Sequence, residues 1–271
     1  MPTLPAGQPP APRPESHQQR QVAESFGTDA GRYDRARPGY PGAMVARIVA
    51  ASPGPRIVDV GTGTGIAARQ FGAAGGQVLG VDPDARMAEL ARQHGLRVEV
   101  ATFESWDPAG RVFDAVIAGQ SWHWVDPVAG GAKAARVLRP GGRLAVFWNA
   151  YQPPPDVNEA FAAVYRRVLP DLPFGARGLP GPDGYAVLGA KAADGLRQAG
   201  GFGEPEDWRF GWERSFSSAE WLDLVPTMGG FSRLPAGQQQ DLLAGLGAAL
   251  DSFGGSFTMT SATVVMTAAR S

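Results

Sequence analysis

Short apolar runs alternate with longer segments of helical spacing between residues 56 and 150. The runs are rich in valine, isoleucine and leucine, which is typical of strands buried on both faces. The pattern predicts strands over 56–60, 77–82, 97–102, 113–119 and 142–148, and helices over 65–74, 85–94 and 127–137. Strands that alternate with helices in this way indicate an α/β domain with a parallel sheet covered on both faces.

The second half of the chain changes character after residue 149, where proline and glycine become frequent. A helix is predicted over 157–169 and a loop over 170–184, and we interpret 151–206 as an inserted helical lid. Further strands are predicted over 207–213 and 257–268, with helices over 218–228 and 236–253 between them. We expect these two strands to pair antiparallel at the edge of the sheet, as the C-terminal part of the core over 207–271. Together with the five strands of 56–150 they would form a doubly wound, mostly parallel sheet of seven strands.

The N-terminal residues form two predicted parts. Residues 1–20 have little apolar content and many prolines, so we expect a disordered tail. Residues 21–55 mix aromatic side chains with arginines and include a predicted helix over 42–51, so we interpret them as a helical cover for the sheet.

Composition narrows the classes of function. The chain has 271 residues, 44% of them apolar, and no cysteine, which excludes disulfides, thiolate nucleophiles and cysteine-based zinc sites. Its formal charge of −1 lacks the basic excess of a nucleic-acid-binding protein. No export signal or membrane-spanning run is evident in the sequence. We therefore expect a cytoplasmic protein, a monomer or homodimer, with neither nucleic acid nor membrane as a partner.

The most informative motif is the glycine turn after the first predicted strand, which reads Asp59-Val-Gly61-Thr62-Gly63-Thr-Gly65-Ile66. Glycine allows a sharp turn and close approach of a ligand, and the exposed amides at the following helix start favour polar or anionic groups. A dinucleotide-binding fingerprint would have its third glycine at position 66, where this chain has isoleucine. The spacing is instead G-x-G-x-G preceded by an acid.

Four further motifs accompany this turn. An acid ends the second predicted strand at Asp82, about twenty residues past the glycines, and Asp84 is placed to cap the next helix. The fourth predicted strand ends in Gly119-Gln120-Ser-Trp122-His123-Trp124, and Arg-Pro-Gly-Gly at 139–142 precedes the fifth. Upstream, residues 33–41 read YDRARPGYP.

These motifs resemble those of class I S-adenosylmethionine (SAM) methyltransferases. The turn with Asp59 resembles their motif I, and the segments at 33–41, 118–124 and 137–142 resemble the small-molecule branch of trans-aconitate-methyltransferase-like, or type 11, proteins. The resemblance implies a Rossmann-like fold and SAM as the cofactor, with S-adenosylhomocysteine as the product. It covers 56–149, which makes 56–150 the expected SAM-binding core.

The resemblance also implies roles for particular residues. Asp59 would receive the amino group of the cofactor, directly or through water, and Asp82 would accept the ribose hydroxyls. Thr102 or Glu104 could meet the adenine amino group, with Phe103 as an apolar contact. Arg37, with Arg32 as the alternative, could bind the methionine carboxylate or an acidic substrate. The expected cofactor site comprises Tyr33, Arg37, Asp59, Gly61, Thr62, Gly63, Asp82, Pro83, Thr102, Phe103, Glu104, Gly119 and Gln120.

The acceptor is expected to lie against Gln120, His123 and Trp124, which are the candidate catalytic residues. His123 could serve as a general base or be a structural histidine. One of Trp122 and Trp124 is expected in the pocket and the other in the core, and Asn149 could also face the acceptor. No metal site is predicted, because the three histidines lack ligand spacing.

The sequence therefore predicts a SAM-dependent methyltransferase of small molecules, with a carboxylate or a secondary metabolite among the candidate acceptors. Oxygen, nitrogen and carbon acceptors all remain open, because the scaffold serves each of them. Two alternatives stay open. One is a nicotinamide-dependent oxidoreductase, against which Ile66 and the residues 120–124 argue. The other is a protein that binds SAM without transferring its methyl group.

Overall fold

The computed structural model of the chain describes residue 17 and residues 25–170, 178–179 and 181–271. The tail predicted over 1–20 therefore lies outside the described residues, apart from residue 17. In the described part of the chain, no helix is both long enough and apolar enough to cross a membrane.

A seven-stranded sheet forms the centre of the molecule, in the order β3-β2-β1-β4-β5-β7-β6. The first five strands are parallel, and β7 is antiparallel to both β5 and β6. The predicted fold class and the predicted antiparallel edge pair are thus confirmed. The strands are β1 (Arg56–Val60), β2 (Gln77–Asp82), β3 (Arg97–Val100), β4 (Phe113–Gly119), β5 (Leu138–Gln152), β6 (Glu206–Ser217) and β7 (Ser256–Ala269).

Helices cover both faces of the sheet. Those predicted within the parallel half of the sheet are present, with ends that differ from the prediction by at most a residue. The helices are α1 (Ala30–Ala36), α2 (Gly42–Ala50), α3 (Ile66–Ala73), α4 (Ala85–Gln93), α5 (Pro127–Val137), α6 (Pro155–Val168), α7 (Pro182–Ala199), α8 (Ser218–Leu224) and α9 (Ala236–Asp251).

Several predicted boundaries are wrong. β3 ends at Val100 rather than at 102, and β5 runs over Leu138–Gln152 rather than 142–148. β6 continues to Ser217 rather than ending at 213, and the helix predicted over 218–228 ends at Leu224. Leu138 already pairs with Phe113, and the pairing register then shifts across the Pro140-Gly141 turn. Gly141 has a φ of 74°, so the turn is a kink within the strand rather than its starting point.

The segment interpreted as a lid divides into two different parts. The loop predicted over 170–184 gives way to α7 at Pro182, while residues 171–177 and 180 lie outside the described residues. Helix α7 buries Ala192, Ala193 and Leu196 in the main core against the sheet, because this face of the helix is apolar. This helix therefore packs on one face of the sheet, and it also contributes Tyr185 and Leu188 to the cavity described below.

A second apolar cluster lies where α6, α8 and α9 meet β6 and β7. The rings of Phe161 and Trp221 stack at 5.3 Å between centroids, and Phe257 packs edge-on against both. Ala36 at the end of α1 belongs to the same cluster. The cluster therefore forms a rigid support beside the sheet, to which the N-terminal cover attaches.

Candidate functional site

A cavity of about 620 Å³ opens at the carboxyl ends of β1, β2 and β4, where ligands bind in open α/β sheets. Most of the residues predicted for the site line it. They are Tyr33, Arg37, Gly61, Gly63, Asp82, Pro83, Thr102, Phe103, Glu104, Gly119, Gln120, His123 and Trp124. Asp59 and Thr62 lie behind this wall, and Asn149 is buried away from it.

The glycine turn bends sharply because its glycines adopt left-handed backbone angles. The φ values of Gly61, Gly63 and Gly65 are 63°, 56° and 87°. A Cβ atom at Gly61 would lie 2.5 Å from the side chain of Ser121, and one at Gly65 would lie 2.1 Å from that of Leu96. A positive φ disfavours a side chain at all three positions, and Gly61 and Gly65 are crowded as well. A Cβ at Gly63 would meet only the end of Met87, at 3.7 Å.

Asp59 is buried directly beneath the turn. Its Oδ2 accepts a hydrogen bond of 2.8 Å from the hydroxyl of Thr62, and its Oδ1 is buried without a partner among the described residues. Burial, with a smaller contribution from repulsion by Asp82, raises the pKa of the Asp59 carboxyl to about 7. Thr62 thus holds Asp59 rather than facing the cavity. Asp59 Oδ1 makes no hydrogen bond of normal geometry with the described residues, although the backbone N–H of Ala68 lies near enough to the carboxyl to lower its pKa.

Asp82 ties the end of β2 to the glycine turn. Its Oδ2 accepts a 2.7 Å hydrogen bond from the backbone N–H of Gly63, and its Oδ1 accepts one of 2.8 Å from that of Asp84. Burial raises the pKa of Asp82 to about 6 despite these two bonds. Asp84 caps α4 through the N–H of Arg86, as predicted. The Asp82 carboxylate is therefore fixed at the cavity wall with one lone pair on each oxygen still available.

The segment after β3 lines the cavity with two apolar residues, Ala101 and Phe103, and two polar ones, Thr102 and Glu104. Phe103 is almost fully buried between Trp106 and Trp122. The hydroxyl of Thr102 shares a hydrogen bond with that of Ser105, and Glu104 accepts one from the backbone of Asp126. Both polar side chains are thus partly engaged by the protein, and Phe103 presents the less restricted contact surface.

Gln120 has a strained backbone at the end of β4. Its φ of 58° is unusual for a residue with a side chain and marks a position held by its surroundings. Its backbone N–H donates to the backbone carbonyl of Phe147, and its side-chain amide donates to the backbone carbonyl of Asn149. Asn149 itself bonds Gly39 and Thr263, which explains why it does not face the cavity.

His123 lies in a short 3₁₀ turn, Trp122–Trp124, against the cavity. Its Nδ1 accepts a hydrogen bond of 3.2 Å from the indole N–H of Trp148, and burial lowers the pKa of its imidazole to about 4. The neighbouring tryptophans divide as expected, because Trp122 is buried in the core and Trp124 lines the cavity.

Rings from separate elements meet around His123. Phe26 lies 6.0 Å from Tyr33 and 6.3 Å from Trp124 between ring centroids, Trp124 lies 4.6 Å from His123, and the Arg37 guanidinium lies 5.1 Å from the Tyr33 ring. We call these five residues the aromatic end of the cavity. The glycine end comprises Gly61, Gly63, Asp82, Pro83 and Phe103.

The N-terminal cover is fastened to both sides of the cavity. Asp34 on α1 pairs with Arg69 at 2.8 Å and with His94 at 3.2 Å. Arg37 donates to the hydroxyl and the carbonyl of Thr227 and has no carboxylate partner among the described residues. Arg32, the alternative clamp, pairs with Asp223 at 3.1 Å instead, so the structure favours Arg37.

Several residues that line the cavity were not predicted from the sequence. Phe26, Tyr185 and the Gly229-Gly230 pair come from segments far apart in the chain, so no local motif connects them. Gly-Gly is a loop signal, but it carries no information about a site. The remaining residues of this kind include His17, Met87, Ser121, Val125 and Leu188. Among the described residues, no cluster of three or more potential metal ligands occurs.

The comparison with a protein-family model matches the part of the chain that contains the glycine turn, Asp82 and His123. Residues 58–146 match a family model described as a methyltransferase domain, type 11. The chain is 39% identical over 133 residues to an uncharacterised methyltransferase of Mycobacterium tuberculosis, which covers 48% of this chain and 54% of that protein. It is 34% identical over 139 residues to a demethylmenaquinone methyltransferase of a Mycobacterium species, covering 50% and 59%. The match thus spans little more than half the length of these relatives.

A solved structure from Anaeromyxobacter dehalogenans, which carries the provisional name type II methyltransferase, has a similar fold. The two align with a TM-score of 0.62 and 24% identity over 86% of this chain and 97% of that one. The structural match covers a larger share of this chain than the sequence matches, which cover about half of it.

Proposed function

We propose that the protein is a class I methyltransferase that transfers a methyl group from SAM to a small-molecule acceptor, because residues 58–146 match a family model described as a methyltransferase domain. The observation that carries the proposal is the glycine turn at the end of β1, which borders the same cavity as Asp82 and His123. A relative named demethylmenaquinone methyltransferase supports a small acceptor.

The residues around the turn fit this cofactor. Asp59 Oδ1 is a buried acceptor without a hydrogen bond in the described chain, and because Asp59 lies behind the cavity wall it would reach an ammonium group through a bridging water. Asp82 has two oxygens at the cavity wall, which suits a pair of ribose hydroxyls. The Arg37 guanidinium has no carboxylate partner in the described chain and would pair with a carboxylate.

When bound, the sulfonium supplies an already activated methyl group. The protein therefore has to orient the acceptor and exclude water more than to perform acid–base chemistry. Gln120, His123 and Trp124 border the cavity where the acceptor would lie, and Trp124 offers an aromatic face to a cation. Phe26 and Tyr33 cover this end against solvent.

Calorimetric titration with S-adenosylhomocysteine and, separately, with NAD tests the cofactor. We expect binding of S-adenosylhomocysteine and none of NAD. The reverse result would replace the proposal with a nicotinamide-dependent oxidoreductase.

A pair of glycine variants makes this test specific to the turn. Gly63→Ala places a methyl group at the cavity wall, and Gly75→Ala imposes comparable strain, at a φ of 93°, outside the cavity lining. We expect Gly63→Ala to weaken S-adenosylhomocysteine binding by at least about tenfold and Gly75→Ala to leave it unchanged. Equal affinities for the two variants would place the ligand elsewhere.

A protein that binds SAM without transferring its methyl group is distinguished by turnover. Incubation with methyl-labelled SAM and a metabolite extract of the source organism should yield a labelled small molecule. Binding of S-adenosylhomocysteine together with no labelled product would favour the ligand-only role.

A further inference from the structure

The hydrogen bond between Trp148 and His123 determines what the imidazole can do. Trp148 lies on β5 with 1% of its surface exposed, and its indole N–H points at His123 Nδ1 from 3.2 Å. An indole nitrogen only donates hydrogen bonds. His123 Nδ1 must therefore be an acceptor, which means that this nitrogen carries no proton.

The state of the ring follows from that bond. Burial lowers the pKa of His123 to about 4, so the ring is neutral at pH 7. A neutral imidazole with a bare Nδ1 carries its proton on Nε2. An imidazolium would bring an Nδ1–H group against the indole N–H, which disfavours that form further.

The second ring nitrogen, Nε2, has no protein partner among the described residues. No hydrogen bond or ion pair to His123 Nε2 occurs within the described ranges, and the residue lines the 620 Å³ cavity. His123 also lines a smaller cavity together with His17, Leu188 and Lys191. The Nε2–H group is thus a donor available to a bound molecule.

We propose that His123 donates a hydrogen bond from Nε2–H to an oxygen or nitrogen of the acceptor molecule and does not act as a general base. Trp148 is the positioning residue that holds the ring in this tautomer. This inference rests on the proposed methyl transfer only for the identity of the bound molecule, because the tautomer belongs to the protein itself.

The proposal restricts which kinds of acceptor molecule the protein can methylate. To accept a proton, Nε2 would have to be bare, and the proton would have to lie on Nδ1, facing the indole N–H. The atom that receives the methyl group therefore brings its own free electron pair, and no proton moves from the acceptor to His123 as the bond to the methyl carbon forms. Any proton released afterwards goes to solvent.

Nitrogen NMR of the full chain tests the tautomer without any ligand. The chain has three histidines, His17, His94 and His123, and the signals that vanish in His123→Gln identify the ring of interest. At pH 7 we expect a protonated Nε2 and an unprotonated Nδ1. A protonated Nδ1, or an imidazolium at that pH, would overturn the proposal.

Trp148→Phe tests the positioning role. This change removes the donor to Nδ1 and keeps a ring in the core, so we expect the His123 signals to shift toward a mixture of tautomers. Trp208→Phe is the matched control, because it removes an indole hydrogen bond to Glu206 at a distant part of the sheet. Unchanged His123 signals in Trp148→Phe would contradict the proposal.

An assay of methyl transfer from labelled SAM into the metabolite extract distinguishes His123 as a hydrogen-bond donor from His123 as a general base. Glutamine can place an amide N–H near the position of Nε2 but cannot accept a proton, whereas alanine offers neither function. We expect His123→Gln to retain turnover within about fivefold and His123→Ala to lose at least about tenfold, the value of one hydrogen bond. Equal losses in both variants, or no loss in His123→Ala, would overturn the donor role. Failure to bind S-adenosylhomocysteine would refute the proposed function and leave the tautomer result standing.

Discussion

The two ends of the cavity are built in different ways. The glycine end depends on backbone: left-handed glycines, and one carboxylate that accepts two main-chain N–H groups. The aromatic end depends on side chains from separate elements, and residues distant in the chain orient them. Thr227 holds Arg37, and Trp148 holds His123. The comparison suggests that the glycine end recognises a constant ligand, while the aromatic end can change with the acceptor.

Among the substitutions that test the difference between the two ends, Asp82→Asn should have the largest effect on ligand affinity. An amide can accept only one of the two backbone hydrogen bonds of Asp82 and turns a donor toward the other N–H group. We expect binding of S-adenosylhomocysteine to weaken by about 100-fold, measured by calorimetry. Asp207→Asn, an exposed change on β6, is the control. Wild-type affinity in Asp82→Asn would show that the glycine end does not hold the ligand.

Arg37→Met tests whether the aromatic end also contacts the cofactor. The guanidinium has no carboxylate partner in the part of the chain that the structure describes, so a bound methionine carboxylate would supply one. We expect a loss of about tenfold in S-adenosylhomocysteine affinity. Arg35→Met removes an exposed arginine that pairs with Asp223 and should change nothing. Intact binding but lost turnover in Arg37→Met would assign Arg37 to the acceptor instead.

The pH dependence of binding tests Asp59. Its folded-state pKa of about 7 means that the carboxyl becomes protonated as the pH falls through 7, and a protonated acid attracts an ammonium group less strongly. We expect S-adenosylhomocysteine affinity to fall about fivefold between pH 7.5 and 6. In Asp59→Asn the fall should be smaller and should come from Asp82, whose pKa of about 6 lies at the edge of this range. Equal slopes would remove Asp59 from ligand binding.

The same difference between the two ends explains how much of the structure could be predicted from the sequence. The glycine end is encoded locally: an acid, three glycines and a second acid follow successive strands, and parallel topology brings strand ends together. The parallel half of the sheet was predictable for the same reason, because its hydrophobic pattern is regular. Gly141 within β5 was misread because a kinked strand and a turn before a strand have the same residues.

The aromatic end was only partly predictable. Tyr33, Arg37 and His123 were candidates, but their partners determine their roles, and those partners lie far away in sequence. A histidine suited to general-base chemistry by its ordinary pKa becomes a hydrogen-bond donor once a buried indole faces Nδ1. Phe26 and Tyr185 carry no signal at all until the chain is folded.

The most direct test of the account is transfer of labelled methyl groups. The protein is incubated with methyl-labelled SAM and a metabolite extract of the source organism, and products are identified by mass. The account predicts one labelled small molecule that is lost with Gly63→Ala and kept with Gly75→Ala. No labelled product from a protein that folds and binds S-adenosylhomocysteine, or a product that persists equally in both variants, would contradict it.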